Sequence, residues 1–271
     1  MIDKPAYNRL RSIARIVRFG LTAVLFPRAR TKSQKSYQAF FDLGLRAPRG
    51  SFLAYQPDSH ANFEAHPEFE ELLPRFTAFN RANNGGDLVR LWSFILNIKQ
   101  ALADGIHGDF AELGVWRGNT SAVLAKCAPS DRNVFLFDTY AGFDARDLND
   151  GDADKHVRFA DTSLDLVKQV VGDAANCHYV KGYFPDSVLS QHRAATYAVV
   201  SLDVDLYLPT KAGLEFFYPR MPKGGIFFLH DYSNPHWDGP KKAIDEFCVQ
   251  TGERVILLAD KSGSAILRKA H

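Results

Sequence analysis

The sequence predicts an α/β protein built on an open, mostly parallel sheet, ended by an antiparallel hairpin and preceded by a helical extension. Three observations lead there. Beyond residue 108, short apolar runs alternate with stretches whose apolar residues recur at helical spacing. Most of these runs are apolar at every position, as in strands covered on both faces. The last two runs are separated only by Ala259–Gly263, too few residues for a crossover helix, so they pair as an antiparallel hairpin at one edge.

Taken in order, the chain begins with a basic arm. Its first 49 residues hold eleven Lys/Arg against Asp3 and Asp42, a net of +9, so the remaining 222 residues carry −7 of the overall +2. Leu10, Ile13, Ile16, Val17, Leu21, Val24 and Leu25 recur at helical spacing, with arginines over much of the other face. Such a helix either lies on an anionic membrane surface or packs on the body or a second subunit with its arginines solvated. Phe19–Phe26 makes a poor secretory signal, because it is short and runs into Pro27-Arg28-Ala29-Arg30 rather than a small-residue cleavage site. The basic residues are confined to this arm and no stacking-aromatic motif accompanies them, so no nucleic-acid partner is expected. No run reaches the roughly 18 apolar residues of a membrane span. Cys127, Cys177 and Cys248 lie far apart without zinc spacing, which fits a reducing, cytoplasmic location, with the arm allowing peripheral contact at the inner membrane surface.

Residues 50–86 are polar and read as a connector with a helix over Pro67–Arg81, so the chain divides into an arm and connector (1–83) and a main domain (84–271). A helix is predicted over Asp87–Asp104, N-capped by Asp87, with Leu88, Leu91, Trp92, Ile95, Leu96 and Ile98 on its inner side. The predicted strands are Asp109–Val115, Asn133–Phe137, His178–Val180, Tyr197–Leu202, Gly225–Leu229, Arg254–Leu258 and Ala265–Leu267. Between them, helices are predicted over Asn119–Cys127, Ser163–Val171, Thr210–Tyr218 and Pro240–Gln250. Five strands in α/β rhythm and a terminal hairpin describe a Rossmann-like methyltransferase sheet better than a dinucleotide dehydrogenase, and no GxGxxG sequence is present.

Ligands of such sheets bind beyond the carboxyl ends of the strands. After the first strand, Gly114 and Gly118 allow a tight turn and a close approach, and Asn119–Ser121 open a helix whose free N–H groups favour an anion; a plain structural turn would look the same. Asp138 ends the second strand, 26 residues beyond Glu112, where a carboxylate can accept ribose hydroxyls or merely cap a turn. Asp203 and Asp205 follow the fourth strand two residues apart, on one face if extended, and His230-Asp231-Tyr232 follow the fifth. Three carboxylates and an imidazole at one sheet edge need a cation or a proton to offset them. Asn234, His236 and Trp237, just beyond, form either a lid or a surface loop.

Glu112–Ser121, Asp138–Phe143, Lys181-Gly182-Tyr183-Phe184-Pro185-Asp186, Asp203–Tyr207 with Pro209-Thr210, Tyr218-Pro219-Arg220, Gly224-Gly225 and His230-Asp231-Tyr232 resemble, in order and spacing, the macrocin, mycinamicin and novobiocin sugar O-methyltransferases. The likeness covers about residues 84–249. It implies a class I methyltransferase fold and S-adenosyl-L-methionine-dependent transfer of a methyl group to a hydroxyl of a small-molecule or glycan acceptor. By the same resemblance Glu112, Gly114 and Gly118 line the cofactor's methionine and ribose part, and Asp138 holds the ribose with Tyr140 and Gly142 beside it. Asp161 lies near the adenine, and Asn84–Gly86 fall where the family has an upstream cofactor contact, with different residues. Asp203 would bind magnesium and Asp205 would be the general base.

One position departs from that pattern, His230 standing where the family has the first aspartate of Asp-Asp-Tyr. Magnesium prefers oxygen ligands, whereas manganese, iron or zinc tolerate nitrogen. Two readings follow. A divalent cation (Mg²⁺ or Mn²⁺) sits on Asp203, His230 and Asp231, or no metal binds and His230 itself takes the hydroxyl proton. A rival to catalysis is a non-catalytic member of the fold that acts as a membrane- or partner-binding scaffold. Self-association into a homo-oligomer is compatible with either.

Overall fold

The computed structural model describes residues 67–148, 158–172 and 174–271, and the basic arm with most of the connector lies outside the described residues. Glu68–His271 form one compact unit. The unit opens with α1 (Pro67–Thr77), which buries Phe69, Leu72 and Phe76 at helical spacing. The helix predicted to reach Arg81 stops at Thr77, because Phe79 adopts a left-handed backbone (φ 55°), and the chain resumes as the single turn α2 (Arg81–Asn84).

Helix α3 (Leu88–Ala103) is capped as expected by Asp87, whose carboxylate accepts the Arg90 N–H at 3.4 Å. Its buried stripe runs through Arg90, Leu91, Phe94, Ile95 and Ile98. Leu96, expected on this stripe, is 43% exposed, and Arg90, not expected there, is buried.

Among the described residues, seven strands form one sheet in the order β3-β2-β1-β4-β5-β7-β6. They are β1 (Asp109–Leu113), β2 (Val134–Asp138), β3 (Cys177–Lys181), β4 (Tyr197–Leu202), β5 (Ile226–Leu229), β6 (Ile256–Leu257) and β7 (Ala265–Arg268). The first five are parallel, and β7 pairs antiparallel with both β5 and β6. β6 is shorter than the predicted Arg254–Leu258, because among the described residues it lies at the edge with only β7 beside it, both its side chains exposed. Crossovers are made by α4 (Asn119–Cys127), α5 (Leu164–Val171), the short α6 (Ser190–Ala194) absent from the prediction, α7 (Tyr207–Phe217) and α8 (Asp238–Thr251). α7 starts earlier than predicted because Pro209 falls in its first turn, where a missing N–H costs nothing.

Alternation along the strands sorts the core into two layers. Leu113, Phe137, Leu202, Phe227 and Leu229 pack with Leu214 and Phe217 of α7 and with Ile244 and Phe247 of α8. Phe228 points the other way and stacks on Phe94 of α3 at 3.9 Å between ring centroids.

β1 stops two residues before the predicted Val115 because Gly114 turns the chain with φ +86°. A Cβ there would lie 2.6 Å from the carbonyl carbon of Asp203 and 2.9 Å from Val204 Cγ1. Gly105 also has positive φ (+72°), but a Cβ on it would meet nothing within 4 Å. Gly105→Ala should therefore cost about 1 kcal/mol, the left-handed penalty alone. Gly114→Ala should add overpacking to that penalty and cost about 3 kcal/mol or more, read by urea denaturation. Equal costs at the two positions would refute the close approach.

Candidate active site

The strand order reverses between β1 and β4, and a cavity of about 760 Å³ opens at the carboxyl ends of the strands there. Glu112, Asp138, Asp203 and His230, at or just beyond the ends of β1, β2, β4 and β5, all line it. Among the described residues, six non-glycine residues have positive φ, and four of them, Trp116, Phe159, Asp205 and Asp231, line this same cavity. Backbone strain of that kind gathers where geometry is held for function.

One side of the cavity is a cradle. Glu112 is 1% exposed and accepts a hydrogen bond from the Ser121 hydroxyl of α4. Burial drives its pKa well above the usual range, Ser121 opposes the shift, and the charges of Asp203 and Asp138 add to it. The Asp138 carboxylate holds the loop after β1: Oδ2 accepts the N–H groups of Val115 (2.6 Å) and Trp116 (2.9 Å), and Oδ1 accepts that of Tyr140 (2.6 Å). A ribose would share a carboxylate that already has three backbone donors. Gly142 borders the cavity with φ +91°, and a Cβ on it would crowd the Arg158 carbonyl oxygen at 2.9 Å. Asp161 sits at the rim, pairing with the Arg117 guanidinium and accepting the Trp116 indole N–H at 3.0 Å.

Two of the residues expected to contact a cofactor do not line the cavity. Tyr140 is buried, its hydroxyl donating to the Leu136 carbonyl at 2.9 Å, because the turn after β2 points the side chain into the core. Gly118 is the N-cap of α4, where a Cβ would press on Val167 of α5 at 3.0 Å. Asn84 does line it, buried between the Phe76 carbonyl, to which it donates at 2.8 Å, and the guanidinium of Arg90.

The other side is an acidic cluster around an imidazole. His230 Nδ1 lies 2.9 Å from Asp203 Oδ1 and 2.8 Å from Asp231 Oδ2. Asn234 donates to Asp231 Oδ1 at 2.5 Å, and the Asp205 carboxyl hydrogen-bonds to Asp231. Asp205 is pushed well above the carboxylate range by burial and by the charges of Asp203 and Asp231. Asp231 is held below that range: burial works against its charge, but His230 and the bonds from His230, Asp205 and Asn234 outweigh it. His230 is raised, burial being overcome by Asp203 and Asp231. Above the cluster Phe143, Phe159 and Trp237 make an aromatic wall, their ring centroids 5.2–6.1 Å apart, with Arg158 over the Trp237 ring.

Arg90 completes the site and was missed in the sequence. Its guanidinium is buried beside Asp87, reaches His230 Nε2 and Asn84 Oδ1, and lies 3.5 Å from the Ser262 hydroxyl. The available signal was a charge on the apolar stripe of α3, three residues from Asp87 and four from Phe94.

Asp203, His230 and Asp231 each offer a ligand atom, all within 4.8 Å of one another. The donor set nevertheless does not fit a divalent cation. A histidine that ligates through Nδ1 must be bare there and carry its proton on Nε2, facing an acceptor. Here Nε2 faces a guanidinium, which only donates.

The macrocin-O-methyltransferase (TylF) family model matches residues 86–256. The 8-demethyl-8-(2,3-dimethoxy-alpha-L-rhamnosyl)-tetracenomycin-C 4'-O-methyltransferase of Streptomyces olivaceus is 30% identical over 160 residues, covering 54% of this chain and 61% of that protein. The mycinamicin III 3''-O-methyltransferase of Micromonospora griseorubida is 28% identical over 166 residues, covering 55% and 64%. The chain thus matches about three fifths of the length of these curated relatives. Among solved structures, the O-methyltransferase NovP superposes with a TM-score of 0.62 at 18% identity, over 79% of this chain and 100% of its own. The calicheamicin methyltransferase CalS11 gives 0.58 at 24% identity, over 75% and 93%. Both likenesses establish the fold, a class I methyltransferase sheet.

The state of Glu112 gives a measurable pH dependence. A carboxyl whose folded pKa is raised contributes its full stability below the unfolded pKa, and that contribution is lost as pH rises through the folded value. Each unit of upward shift is worth about 1.4 kcal/mol between the two limits. Glu112→Gln should therefore melt at a higher temperature than the native protein at pH 8, with the gap closing toward pH 5. A gap that does not change with pH would refute the raised pKa.

Proposed function

The chain belongs to the macrocin-O-methyltransferase family, and from that premise we propose that it transfers a methyl group from S-adenosyl-L-methionine to a hydroxyl of a sugar or glycosylated acceptor. The observation that carries the proposal is the convergence, on one cavity, of a glycine-turned cradle with the Asp203–Asp205–His230–Asp231 cluster. Relatives named for methylating rhamnosyl-tetracenomycin and mycinamicin III support the acceptor class. A scaffold without catalysis would have no use for so many ionisable groups gathered at the carboxyl ends of the sheet.

The cradle fits the cofactor: Gly114 and Gly142 border the cavity, and Glu112, Asp138 and Asp161 offer acceptors along one wall. When bound there, S-adenosyl-L-methionine supplies an electrophilic methyl group on a sulfonium centre. An alcohol is a weak nucleophile near neutral pH, so this chain's part is to position the hydroxyl and take its proton. Asp203, the more exposed of the two carboxyls after β4, orients the hydroxyl. Asp205 is the base: in its ionised form its raised proton affinity makes it a strong acceptor of the hydroxyl proton. Phe143, Phe159 and Trp237 offer apolar faces for the C–H side of a sugar ring and keep water from the reacting oxygen. No step is assigned to a divalent cation.

Calorimetric titration with S-adenosylhomocysteine should give micromolar binding, in EDTA as well as in added Mn²⁺. No binding in either buffer would overturn the proposal. With labelled S-adenosylmethionine and a panel of rhamnosides, Asp205→Ala should lower turnover by about 10²–10⁴-fold, the range of a general base. Asp203→Ala should likewise abolish most turnover, and both variants should keep the native affinity for S-adenosylhomocysteine. Near-native turnover in either variant would remove the role given to that residue.

A further inference from the structure

We infer that Arg90 fixes the tautomer of His230 and so makes the acidic cluster self-sufficient, with the Nδ1–H of His230 lying between Asp203 and Asp231 in the place a divalent cation would take. Arg90 is a positioning residue in this account, acting through His230. The inference deepens the methyltransferase reading by making the site metal-independent, and it rests on that reading only for the identity of the reaction.

A guanidinium has five N–H donors and no acceptor. Its Nη1 reaches His230 Nε2, so Nε2 meets it best with a lone pair. A neutral imidazole carries one N–H, which then sits on Nδ1, directed at Asp203 Oδ1 (2.9 Å) and Asp231 Oδ2 (2.8 Å). A doubly protonated ring would carry the same proton on Nδ1. In neither form is Nδ1 free to ligate a metal.

Arg90 could yield to a metal-bound histidine only by turning away, and the structure holds it on every side. It is 3% exposed, bonded to Asn84 Oδ1, 3.4 Å from Asp87 Oδ2, and packed with its guanidinium carbon 5.2 Å from the centre of the Phe76 ring. Asp87 is itself 2% exposed, so moving Arg90 would strip a buried carboxylate of its counter-charge. The substitution that distinguishes this chain from the Asp-Asp-Tyr pattern thus has a partner. With aspartate at position 230, Arg90 would face a carboxylate and the cluster would present three oxygen ligands. With histidine there, the guanidinium supplies a positive charge inside the protein and the imidazole Nδ1–H a donor to the acids.

Titration of the full chain with Mn²⁺, read by the electron paramagnetic resonance signal of the free ion, tests the inference without turnover. The native protein is expected to bind no stoichiometric Mn²⁺ up to millimolar concentration, with or without S-adenosylhomocysteine. One ion per chain at micromolar affinity would overturn the inference. Two-bond ¹H–¹⁵N spectra of ¹⁵N-histidine protein should show His230 protonated on Nδ1, and a bare Nδ1 would overturn it as well. Arg90→Gln offers Nε2–H a carbonyl acceptor, so it should move the proton to Nε2 and raise Mn²⁺ affinity by about 10–100-fold, the usual weight of a supporting contact at a metal ligand. His230→Asp should raise it at least as far. A folded His230→Asp or Arg90→Gln protein with no gain would refute the assignment, and the two native measurements decide it if neither variant folds. Binding of S-adenosylhomocysteine settles the methyltransferase reading separately, so the two can fail independently.

Discussion

The backbone of residue 114 lies against the carbonyl of Asp203 so closely that only glycine fits between the strand ends. That contact, with the Asp203 N–H donating to the Leu113 carbonyl at 2.9 Å, locks β1 to β4 at the point where strand order reverses. The loop after β1 carries the cradle and the turn after β4 carries Asp203 and Asp205. One steric condition therefore sets the distance between the two halves of the cavity. The next link repeats it on the other side, where the His230 N–H donates to the Leu202 carbonyl at 2.9 Å and brings His230 and Asp231 beside the first pair of acids. Distances across the cavity are built here from main-chain hydrogen bonds, which hold better than side chains on a mobile loop could.

Putting three acids at one sheet edge is costly unless their charge is managed. The site manages it in layers. The proton affinity of Asp205 is raised, one imidazole lies between Asp203 and Asp231, and behind the imidazole stands a buried arginine balanced by Asp87. Left-handed backbone at Asp205 and Asp231 turns both side chains toward the same centre. Each layer is buried, so each interaction is stronger than it would be in water, and removing one member would leave another uncompensated.

The fold was legible because its signals are local. Apolar runs of four to six residues, Gly114 at the end of one and Asp87 ahead of a helical pattern all act within a turn or two of their own position. Where reading failed, a neighbour distant in sequence decided. β6 is short because, among the described residues, nothing lies beyond it in the sheet, and Leu96 is exposed because the α3 stripe that meets β5 includes Arg90 instead. The site was legible in the same uneven way. Glu112, Asp138, Asp203, Asp205, His230 and Asp231 could be expected around one cavity, which they line, because ligands of this architecture bind at the strand ends. Tyr140 and Gly118 were expected beside them, yet one turns into the core and the other caps a helix, because adjacency in sequence does not say which way a turn will point.

The sequence alone determined the class of sheet, its strands, the family resemblance and the acids that gather at the carboxyl edge. Periodicity and residue type are properties of a few consecutive positions and need no partner to be read. Only the tertiary structure decided the state of those acids. Whether His230 is a ligand, a base or a bridge turns on which of its nitrogens carries the proton. That depends on a guanidinium 140 positions away in the chain, brought to it by the packing of α3 across the sheet.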